Sequence, residues 1–473
     1  ELDLRHGLLR RHVRLRDAAG RTTRLVERRL VHMGDPYLAA IELTLTAEDW
    51  AGPVEIESAL DGGIVNAGVE RYRGLANRHL SPREARVTEG GLLYLKTETA
   101  QSERRIAAAA RTRVFREGSE LRTERRTATA DDRVAERFTV ELPQGTPVGV
   151  EKVVALHGST DHAVAECGLA ARGAVAAAGD FGRLEATHRL AWTQLWREFD
   201  IGVDQPDAEA AARTRMALRL HLLHLLQTAS PHTIDLDAGI PARGLHGEAY
   251  RGHVFWDELF VLPLFNLRAP EISRAVLLYR YRRLGAARAA ARATGFAGAM
   301  FPWQSGSDGR EESQRIHLNP QSGRWIPDHS HLQRHVNAAI AFNVWQYYQA
   351  SGDLRFMDAY GLEMLLEIAR FFSSLAEHDA DRGRYVIRGV MGPDEYHDAY
   401  PDAERPGLDN NAYTNVMAVW VLRCALEALP LVPASRCDAL KERLGLDANE
   451  LERWEDITCR MFVPFQDEDI ISQ

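Results

Sequence analysis

Alternation of apolar and polar residues runs through the first third of the chain. Residues 41–46 (IELTLT) and 138–142 (FTVEL) place an apolar side chain at every second position. This period of two is typical of strands that bury one face. Turn sequences at 61–63 (DGG) and 89–91 (EGG) separate the apolar runs at intervals that suit antiparallel strands. Residues 1–160 are therefore predicted to form an N-terminal β-sandwich domain.

A helical pattern replaces the strand pattern after residue 160. Residues 161–205 include an Ala-rich stretch and are predicted to form a helical linker. Beyond them, Met216, Leu220 and Leu223 recur at the spacing of one helix face, behind a start signal at 206–207 (PD). Further helices are predicted at about 271–293, 330–350, 355–377, 410–428 and 435–461. The chain from residue 206 onward is thus predicted to be a helical domain.

Composition and charge narrow the class of protein. With 473 residues, 45% of them hydrophobic and 26% charged, the chain has the make-up of an ordinary globular protein with two or three domains. A net charge of −9 argues against nucleic acid as the main partner. The longest apolar runs fall far short of the ~20 residues of a membrane span, and the first residues lack the features of a signal peptide. No membrane partner is expected, and cytoplasm is the expected location.

The cysteine spacing gives no sign of a metal site or a disulfide framework. Cys167, Cys424, Cys437 and Cys459 are scattered, without a CxxC pair. Free thiols in a reduced compartment are expected, and no metal site is predicted.

Residues 391–398 (MGPDEYHD) place a carboxylic acid beside aromatic and His side chains on a Gly-Pro turn. Irregular segments of this kind carry working side chains more often than helix interiors do. Glu395 is the candidate catalytic acid, because a partly apolar loop with Tyr396 adjacent would favour its protonated form by desolvation. The alternative interpretation is a solvated acidic turn.

Residues 243–258 form a second stretch rich in polar groups, which ends in Trp256, Asp257 and Glu258. A flat ring beside a carboxylate suits a sugar, because the C–H face of a pyranose lies on the ring while its hydroxyls donate to the carboxylate. Alternatively, Trp256 is a core residue, and the two acids occupy the first turn of a helix, where they complement the dipole.

The two stretches together resemble glycoside hydrolase family 65, the inverting phosphorylases and hydrolases of α-glucosides. The segment 252–263 (GHVFWDELFVLP) is similar to the family's GHxFWDxExFxxP segment, 391–398 to its general-acid loop, and 409–415 (DNNAYTN) to the segment after that loop. Residues 301–312 and 335–341 are similar to weaker family blocks. All five segments follow the family order.

The resemblance implies a β-sandwich, a helical linker and an (α/α)6-type barrel at 206–473 whose site lies on loops between helices. It also implies that the sandwich is truncated at its start, because homologues begin before a segment like residues 4–9. The barrel is expected to be incomplete at its C-terminus, because residues 465–473 resemble a segment upstream of the family's phosphate-binding loop.

The same resemblance implies a set of site residues. Glu395 would be the general acid, and Trp256 with Asp257 would hold the glucosyl unit at the subsite that is attacked. The other expected substrate-binding residues are His253, Trp303, His335, Tyr396, Asn411 and Tyr413.

Structural alternatives stay open for three of these residues. His253 fits a satisfied surface side chain equally well, and an aromatic such as Trp303 is more often packing than binding. His335 and Asn337 are two residues apart on a predicted helix, so at most one of them is expected to face the pocket. Glu258 departs from the family pattern, in which the second acid comes one residue later.

The implied activity is inverting phosphorolysis of an α-glucosyl disaccharide to β-glucose 1-phosphate and a free sugar. Inorganic phosphate would be the co-substrate, no metal or organic cofactor is implied, and a homodimer is what the family suggests. Two alternatives stay open: an inverting hydrolase whose water is activated by a carboxylate outside this chain, and a non-catalytic sugar-binding relative. The intact Glu395 and Trp256-Asp257 count against the non-catalytic alternative.

Overall fold

A computed structural model describes residues 1–72, 75–245, 247–319, 321–394, 397–401, 403–467 and 470–472. The chain divides into two units, Glu1–Gln227 and Thr228–Gln473. The first unit is built on β-sheets with three helices, and the second is built on helices with short hairpins between them.

Antiparallel strands make up most of the first unit. They are β1 (Leu2–Asp3), β2 (Leu8–Arg16), β3 (Thr22–Val31), β4 (Leu38–Ala47), β5 (Gly52–Asp61), β6 (Leu80–Val87), β7 (Leu93–Thr99), β8 (Arg105–Arg116), β9 (Ser119–Leu121), β10 (Arg126–Ala130), β11 (Arg133–Leu142) and β12 (Val148–Gly158). The larger sheet has the order β1-β2-β3-β4-β12-β8-β7-β6, with β9 paired to β8. A second sheet has the order β10-β11-β5.

The two sheets face each other across an apolar core. Phe138, Val140 and Leu142 of β11 are buried, while the residues between them are exposed, as a period of two requires. They pack in one cluster with Val114 of β8 and Val150 of β12. The predicted antiparallel β-sandwich is therefore present.

Helices complete the first unit. They are α1 (Cys167–Ala177), α2 (Phe181–Phe199) and α3 (Ala208–Thr228). Glu166 caps α1 by accepting hydrogen bonds from two backbone N–H groups. Ala171 of α1 and Phe181 of α2 are buried in the same cluster as side chains of the larger sheet. The segment predicted as a helical linker is helical, and its apolar faces pack on the sheet.

Helices dominate the second unit. They are α4 (Glu258–Arg268), α5 (Pro270–Arg282), α6 (Leu284–Ala293), α7 (Val336–Ser351), α8 (Leu354–Phe356), α9 (Leu362–Leu375), α10 (Ala412–Ala428), α11 (Ala434–Leu444) and α12 (Ala448–Arg460). The hairpins pair β13 (Ile316–Leu318) with β14 (Trp325–Pro327), β15 (Glu377–Asp379) with β16 (Arg384–Val386), and β17 (Phe465–Gln466) with β18 (Ile470–Ile471). Each helical stretch predicted between residues 271 and 461 overlaps at least one of these helices.

Helix α9 lies in the core of the second unit. Nearly all of its residues are buried, including Leu365, Ile368, Phe371 and Phe372. It packs against α10, α7 and α12. A helix that is buried on nearly all sides and packs against other helices is expected at the centre of a helical domain.

One helical stretch of the described residues, Ala412–Leu431, is long and apolar enough to pass for a membrane span. It packs against α9, α7 and α12 through its α10 part. Val421, Leu422 and Ala425 on it are fully buried. Packing in the core of the second unit accounts for its apolar composition.

A close backbone approach fixes the segment that leads from α6 to the predicted block at 301–312. Gly298 has a φ of +70°, and a Cβ atom there would lie 2.2 Å from the Glu367 carbonyl oxygen and 2.6 Å from the Phe371 nitrogen. The next residue, Ala299, donates its N–H to the same Glu367 carbonyl at 2.9 Å. Only glycine permits this approach, which ties the start of the block to α9.

We expect Gly298→Ala to destabilise the protein much more than Gly295→Ala. Gly295 also has a positive φ, but a Cβ atom there meets no atom within 4 Å. Its replacement should cost only the ~1 kcal/mol of a left-handed conformation. At Gly298 the clash with α9 is added, so the loss should be about 3–4 kcal/mol. Denaturant unfolding of both variants measures the difference, and equal losses would show that α9 tolerates the extra atom.

Candidate active site

Aromatic side chains from four separate segments meet in the second unit. The Trp256 ring centroid lies 5.8 Å from that of Trp303, 4.8 Å from that of His335 and 6.3 Å from that of Tyr413. His335 in turn lies 5.2 Å from Trp303 and 5.9 Å from Tyr413. The fold thus brings together four residues that were predicted to bind substrate, from distant parts of the chain. They are called the aromatic cluster below.

Asp257 follows Trp256 at the start of α4, and its carboxylate is uncommitted. The side chain caps no N–H group of the helix, and it makes no hydrogen bond or ion pair to another residue that the structure describes. Burial raises the pKa of Asp257, and a hydrogen bond from its own backbone opposes the shift. A partly buried carboxylate without a partner is suited to accept hydrogen bonds from the hydroxyls of a ligand.

Glu258, the next residue, is committed to a buried ion pair. The side chains of Glu258 and Arg280 are 2% and 1% exposed, and Arg280 donates to the carboxylate at 2.9 and 3.1 Å. Arg280 also donates to the Phe255 carbonyl at 2.8 Å, and the Ile240 N–H donates to Glu258 at 3.2 Å. Burial raises the pKa of Glu258, and the Arg280 charge opposes the shift. The acid whose register departs from the family pattern therefore holds the turn before α4.

His335 lies at the start of α7 and is fully buried. Neither ring nitrogen makes a hydrogen bond to a group in the described part of the chain. Burial lowers the pKa of His335 to about 4, and a backbone group of Met391 opposes the shift. The imidazole is therefore neutral at physiological pH, with one nitrogen able to donate and the other able to accept a hydrogen bond.

The loop that was predicted to carry the catalytic acid begins near His335. Met391 donates its N–H to the Leu332 carbonyl at 3.0 Å, just before α7. Gly392 donates its N–H to the His397 carbonyl at 3.0 Å, which closes the loop. The backbone at both ends of the acid loop is therefore held in place by hydrogen bonds.

Close contacts explain the glycine of this loop. A Cβ atom at Gly392 would lie 2.4 Å from His397 Nδ1 and 2.9 Å from Asn411 Nδ2. Both nitrogens are buried without a hydrogen-bond partner among the described residues. Glu395 and Tyr396, the predicted acid and its neighbour, lie outside the residues that the structure describes.

Asn411 and Tyr413 stand at the beginning of α10. Asn411 Oδ1 accepts hydrogen bonds from the N–H and the hydroxyl of Thr414, each at 3.0 Å, which makes Asn411 the N-cap of the helix. Burial raises the pKa of Tyr413, so its hydroxyl stays protonated. Asn411 thus fixes the helix that presents Tyr413 to the aromatic cluster.

His253 links the two stretches that carry Trp256 and Trp303. Its Nδ1 atom lies 2.7 Å from Gln304 Nε2, in a hydrogen bond. Burial lowers the pKa of His253, and the charge of Arg251 lowers it further. This hydrogen bond occupies one ring nitrogen of His253, so His253 has a structural role, which is to join the two stretches. Its predicted role in binding substrate stays a prediction.

Two residues of the same region were not singled out from the sequence. Glu311 Oε2 accepts the Trp303 N–H at 2.9 Å, and its Oε1 accepts the Gln304 N–H at 3.1 Å. Arg334 immediately precedes His335 and is partly buried. Both residues lie in or beside a segment that resembles the family, which was the one sign in the sequence that they could belong to the site. An acid in an acid-rich loop and an arginine next to a helix are otherwise too common to be singled out. Among the described residues, no cluster of His, Cys, Asp and Glu side chains fits a metal ion.

Comparison with known proteins assigns both units. The sequence model described as "Glycosyl hydrolase family 65, N-terminal domain" matches residues 1–195, and the one described as "Glycosyl hydrolase family 65 central catalytic domain" matches residues 219–473. The chain belongs to glycosyl hydrolase family 65. The resemblance found in the sequence motifs is confirmed.

Two relatives show how far this family-65 chain extends along known proteins. An uncharacterised glycosyl hydrolase of Mycobacterium tuberculosis strain H37Rv is 48% identical over 471 residues, which are 100% of this chain and 35% of that protein. A trehalose 6-phosphate phosphorylase of Lactococcus lactis subsp. lactis is 36% identical over 410 residues, which are 85% of this chain and 51% of that protein. The chain spans about a third to a half of the length of these relatives.

A solved structure has the same fold. It is described as a candidate kojibiose phosphorylase from the human microbiome, and it matches with a TM-score of 0.79 at 22% sequence identity, covering 99% of this chain and 57% of that one. At this identity the likeness bears on the fold alone. It confirms the fold class predicted from the sequence, an antiparallel β-sandwich followed by the helical barrel domain of family 65.

Asp257 and Glu258 are adjacent acids with opposite surroundings, which makes them a matched pair of variants. Asp257→Asn should leave stability nearly unchanged and weaken glucose binding about tenfold or more, because a charged acceptor is lost. Glu258→Gln should lower the free energy of unfolding by about 3–5 kcal/mol, because Arg280 loses its buried counter-charge. Denaturant unfolding and calorimetric titration with glucose test both variants. The reverse pattern would show that Glu258 is the acid that faces the sugar.

The lowered pKa of His335 predicts that stability depends on pH. Between about pH 4 and the ordinary His value of 6.5, the unfolded chain binds a proton that the folded site does not. The free energy of unfolding should therefore rise with pH across this window and be fully regained above it. His335→Gln should flatten the rise by on the order of 1–3 kcal/mol, whereas exposed His378→Gln should not. Unfolding curves at a series of pH values measure the slopes, and an unchanged slope in His335→Gln would contradict a neutral His335.

Proposed function

We propose that this chain carries the glycosyl-transferring site of an inverting α-glucoside phosphorylase. The reaction converts an α-glucosyl disaccharide and inorganic phosphate into β-glucose 1-phosphate and a free sugar, with Glu395 as the general acid. The observation that carries the proposal is the uncommitted, partly buried Asp257 carboxylate beside Trp256 in the aromatic cluster.

The aromatic cluster suits the glucosyl unit of such a substrate. A pyranose presents C–H groups that pack on an indole face and hydroxyls that need hydrogen-bond partners. Asp257 would accept from ring hydroxyls, and neutral His335 would exchange hydrogen bonds with them without adding a charge. Trp303 and Tyr413 would close the remaining sides, since both contact His335.

Glu395 fits the general acid by its place in the chain. It follows Asp394 in the loop whose backbone is anchored at Met391 and Gly392. The acid must donate a proton to the oxygen that leaves the anomeric carbon, so it has to be protonated at the working pH. The adjacent acid, Asp394, is exposed to solvent.

Phosphate would act as the nucleophile in this scheme. Its oxygen forms the bond to the anomeric carbon from the face opposite the leaving oxygen, and Glu395 supplies the proton that the leaving sugar takes up. The α-linkage is thereby converted into a β-phosphate ester. Because the nucleophile is already an anion, the chain needs no second catalytic carboxylate, and the reaction requires no metal or organic cofactor.

The names of the relatives support phosphorolysis as the reaction. The Lactococcus relative is named a phosphorylase of trehalose 6-phosphate. Kojibiose phosphorylases of three genera, Halothermothrix, Thermoanaerobacter and Caldanaerobacter, are 30–31% identical over 99–100% of this chain. A panel of disaccharide substrates identifies the linkage.

The test incubates the purified protein with α-linked glucose disaccharides, including trehalose, kojibiose, nigerose and maltose, with and without inorganic phosphate. We expect glucose 1-phosphate to form from one of them only when phosphate is present. Glu395→Gln should reduce that rate by about 10²–10⁴-fold, because an amide cannot supply the proton. Quantifying glucose and glucose 1-phosphate separately measures both products.

Asp394→Asn is the matched control, since it changes the adjacent acid and should keep most of the activity. Glucose release that is equal with and without phosphate would replace the phosphorylase with a hydrolase, which needs a second carboxylate ~6.5–9.5 Å from the acid. Full activity of Glu395→Gln would remove Glu395 from the mechanism. Sugar binding without turnover of any disaccharide would favour a non-catalytic relative.

A further inference from the structure

Arg334 lies in the turn that leads into α7, two residues after the residue that binds the acid loop. Its carbonyl accepts the Asn337 N–H at 3.1 Å and the Asn337 side-chain amide at 3.0 Å. Two residues earlier, the Leu332 carbonyl accepts the Met391 N–H from the acid loop. One residue later comes His335, in the aromatic cluster. The backbone of Arg334 is therefore fixed beside the candidate active site.

The guanidinium group of Arg334 has no partner among the residues that the structure describes. No carboxylate or carbonyl of the described residues accepts a hydrogen bond from it or lies within ion-pair distance, although the side chain is partly buried. Burial lowers the pKa of Arg334, and only the more distant charge of Glu311 opposes the shift. By contrast, the fully buried Arg280 of the same unit pairs with Glu258 at 2.9 Å.

Glu311, the acid that acts on Arg334 from a distance, is occupied elsewhere. Its two oxygens accept the N–H groups of Trp303 and Gln304 at 2.9 and 3.1 Å. The Ser313 hydroxyl donates to it as well, at 2.7 Å. Glu311 therefore serves the backbone of the aromatic cluster and leaves the five donors of Arg334 available.

A partly buried charge without a counter-charge is unfavourable unless an anion completes it. The planar fork of a guanidinium matches the oxygens of a phosphoryl group and can hold two of them at once. Sugar hydroxyls cannot compensate the charge, because they are neutral. The positive potential also reaches the edge of the site, since burial and then the Arg334 charge lower the pKa of His331.

We propose that Arg334 binds a phosphoryl group in the candidate active site. The inference rests on the proposed function, which brings phosphate to this site. Two sources share this chemistry: inorganic phosphate, the attacking reactant, and a phosphoryl group carried by the sugar substrate. Either one supplies the anion that no described residue of the protein offers to Arg334.

Equilibrium binding to the purified protein tests the proposal, with titration calorimetry against inorganic phosphate, glucose 6-phosphate and glucose. Arg334→Gln should weaken the binding of at least one of the two anions by about 10- to 100-fold, because a charged hydrogen-bonding partner is lost. The affinity for glucose should change less than about twofold. Arg334→Lys should restore part of the affinity, since it keeps the charge without the fork.

Arg423→Gln is the matched control. Arg423 lies on α10, is exposed and pairs with Glu427 at 3.6 Å, so its loss should leave all three titrations unchanged. The melting temperature of ligand-free Arg334→Gln gives a second readout. Removing an unpaired, partly buried charge should leave it unchanged or raise it, whereas a structural arginine would lower it.

The two sources are separated by the pattern of losses. Weakened binding of inorganic phosphate assigns Arg334 to the attacking reactant, and weakened binding of glucose 6-phosphate relative to glucose assigns it to a phosphorylated sugar. Wild-type affinity of Arg334→Gln for both anions would overturn the proposal. A lowered melting temperature with equal losses for all three ligands would overturn it too. Because binding needs no turnover, an Arg334-dependent phosphate affinity in a protein that cleaves disaccharides without phosphate would reject the proposed function and leave this inference standing.

Discussion

The buried ion pair between Glu258 and Arg280 is the contact on which the candidate site depends. Both side chains are almost fully removed from water, where two charges are tolerated only with good geometry and additional hydrogen bonds. The Phe255 carbonyl and the Ile240 N–H supply those bonds. The pair thereby fixes the turn that carries Trp256 and Asp257 into α4. It also neutralises one of two neighbouring acids within the fold, so that only Asp257 keeps a carboxylate without a partner among the described residues.

Around that turn, the fold leaves several buried polar groups without partners. The ring nitrogens of His335, the Nδ1 atom of His397 and the Nδ2 atom of Asn411 make no hydrogen bond within the described residues. Such groups are destabilising in a protein core, and native structures rarely keep many of them close together. Their concentration beside the acid loop is what a polyhydroxylated ligand would satisfy, because each sugar hydroxyl can both donate and accept. The same unpaired polar groups therefore lower the stability of the folded chain and provide hydrogen-bonding atoms for a ligand.

Much of the fold was accessible from the sequence because apolar periodicity is a local property. The strand β11 and the helices from α5 onward follow directly from it, and four residues of the predicted site do meet in the aromatic cluster. The role of Glu258 could not be predicted from the sequence. Its partner Arg280 lies on the following helix, and no feature of either stretch indicates that the two residues pair. Arg334 could not be predicted for the opposite reason: it matters because no described residue pairs with its guanidinium, and a sequence does not show which groups surround a side chain.

Asp257 and Arg334 carry opposite charges, and neither has a partner in the described part of the chain. They do not pair with each other, although Asp257 adjoins Trp256 and Arg334 adjoins His335, whose ring lies 4.8 Å from the Trp256 ring. A protonated His335 would repel the guanidinium and compete for the carboxylate, so its lowered pKa keeps both charges available. A ligand that joins neutral hydroxyls to an anionic group would then satisfy the two ends separately. A glucosyl unit together with a phosphoryl group has that distribution of charge, and a disaccharide with water as the nucleophile does not.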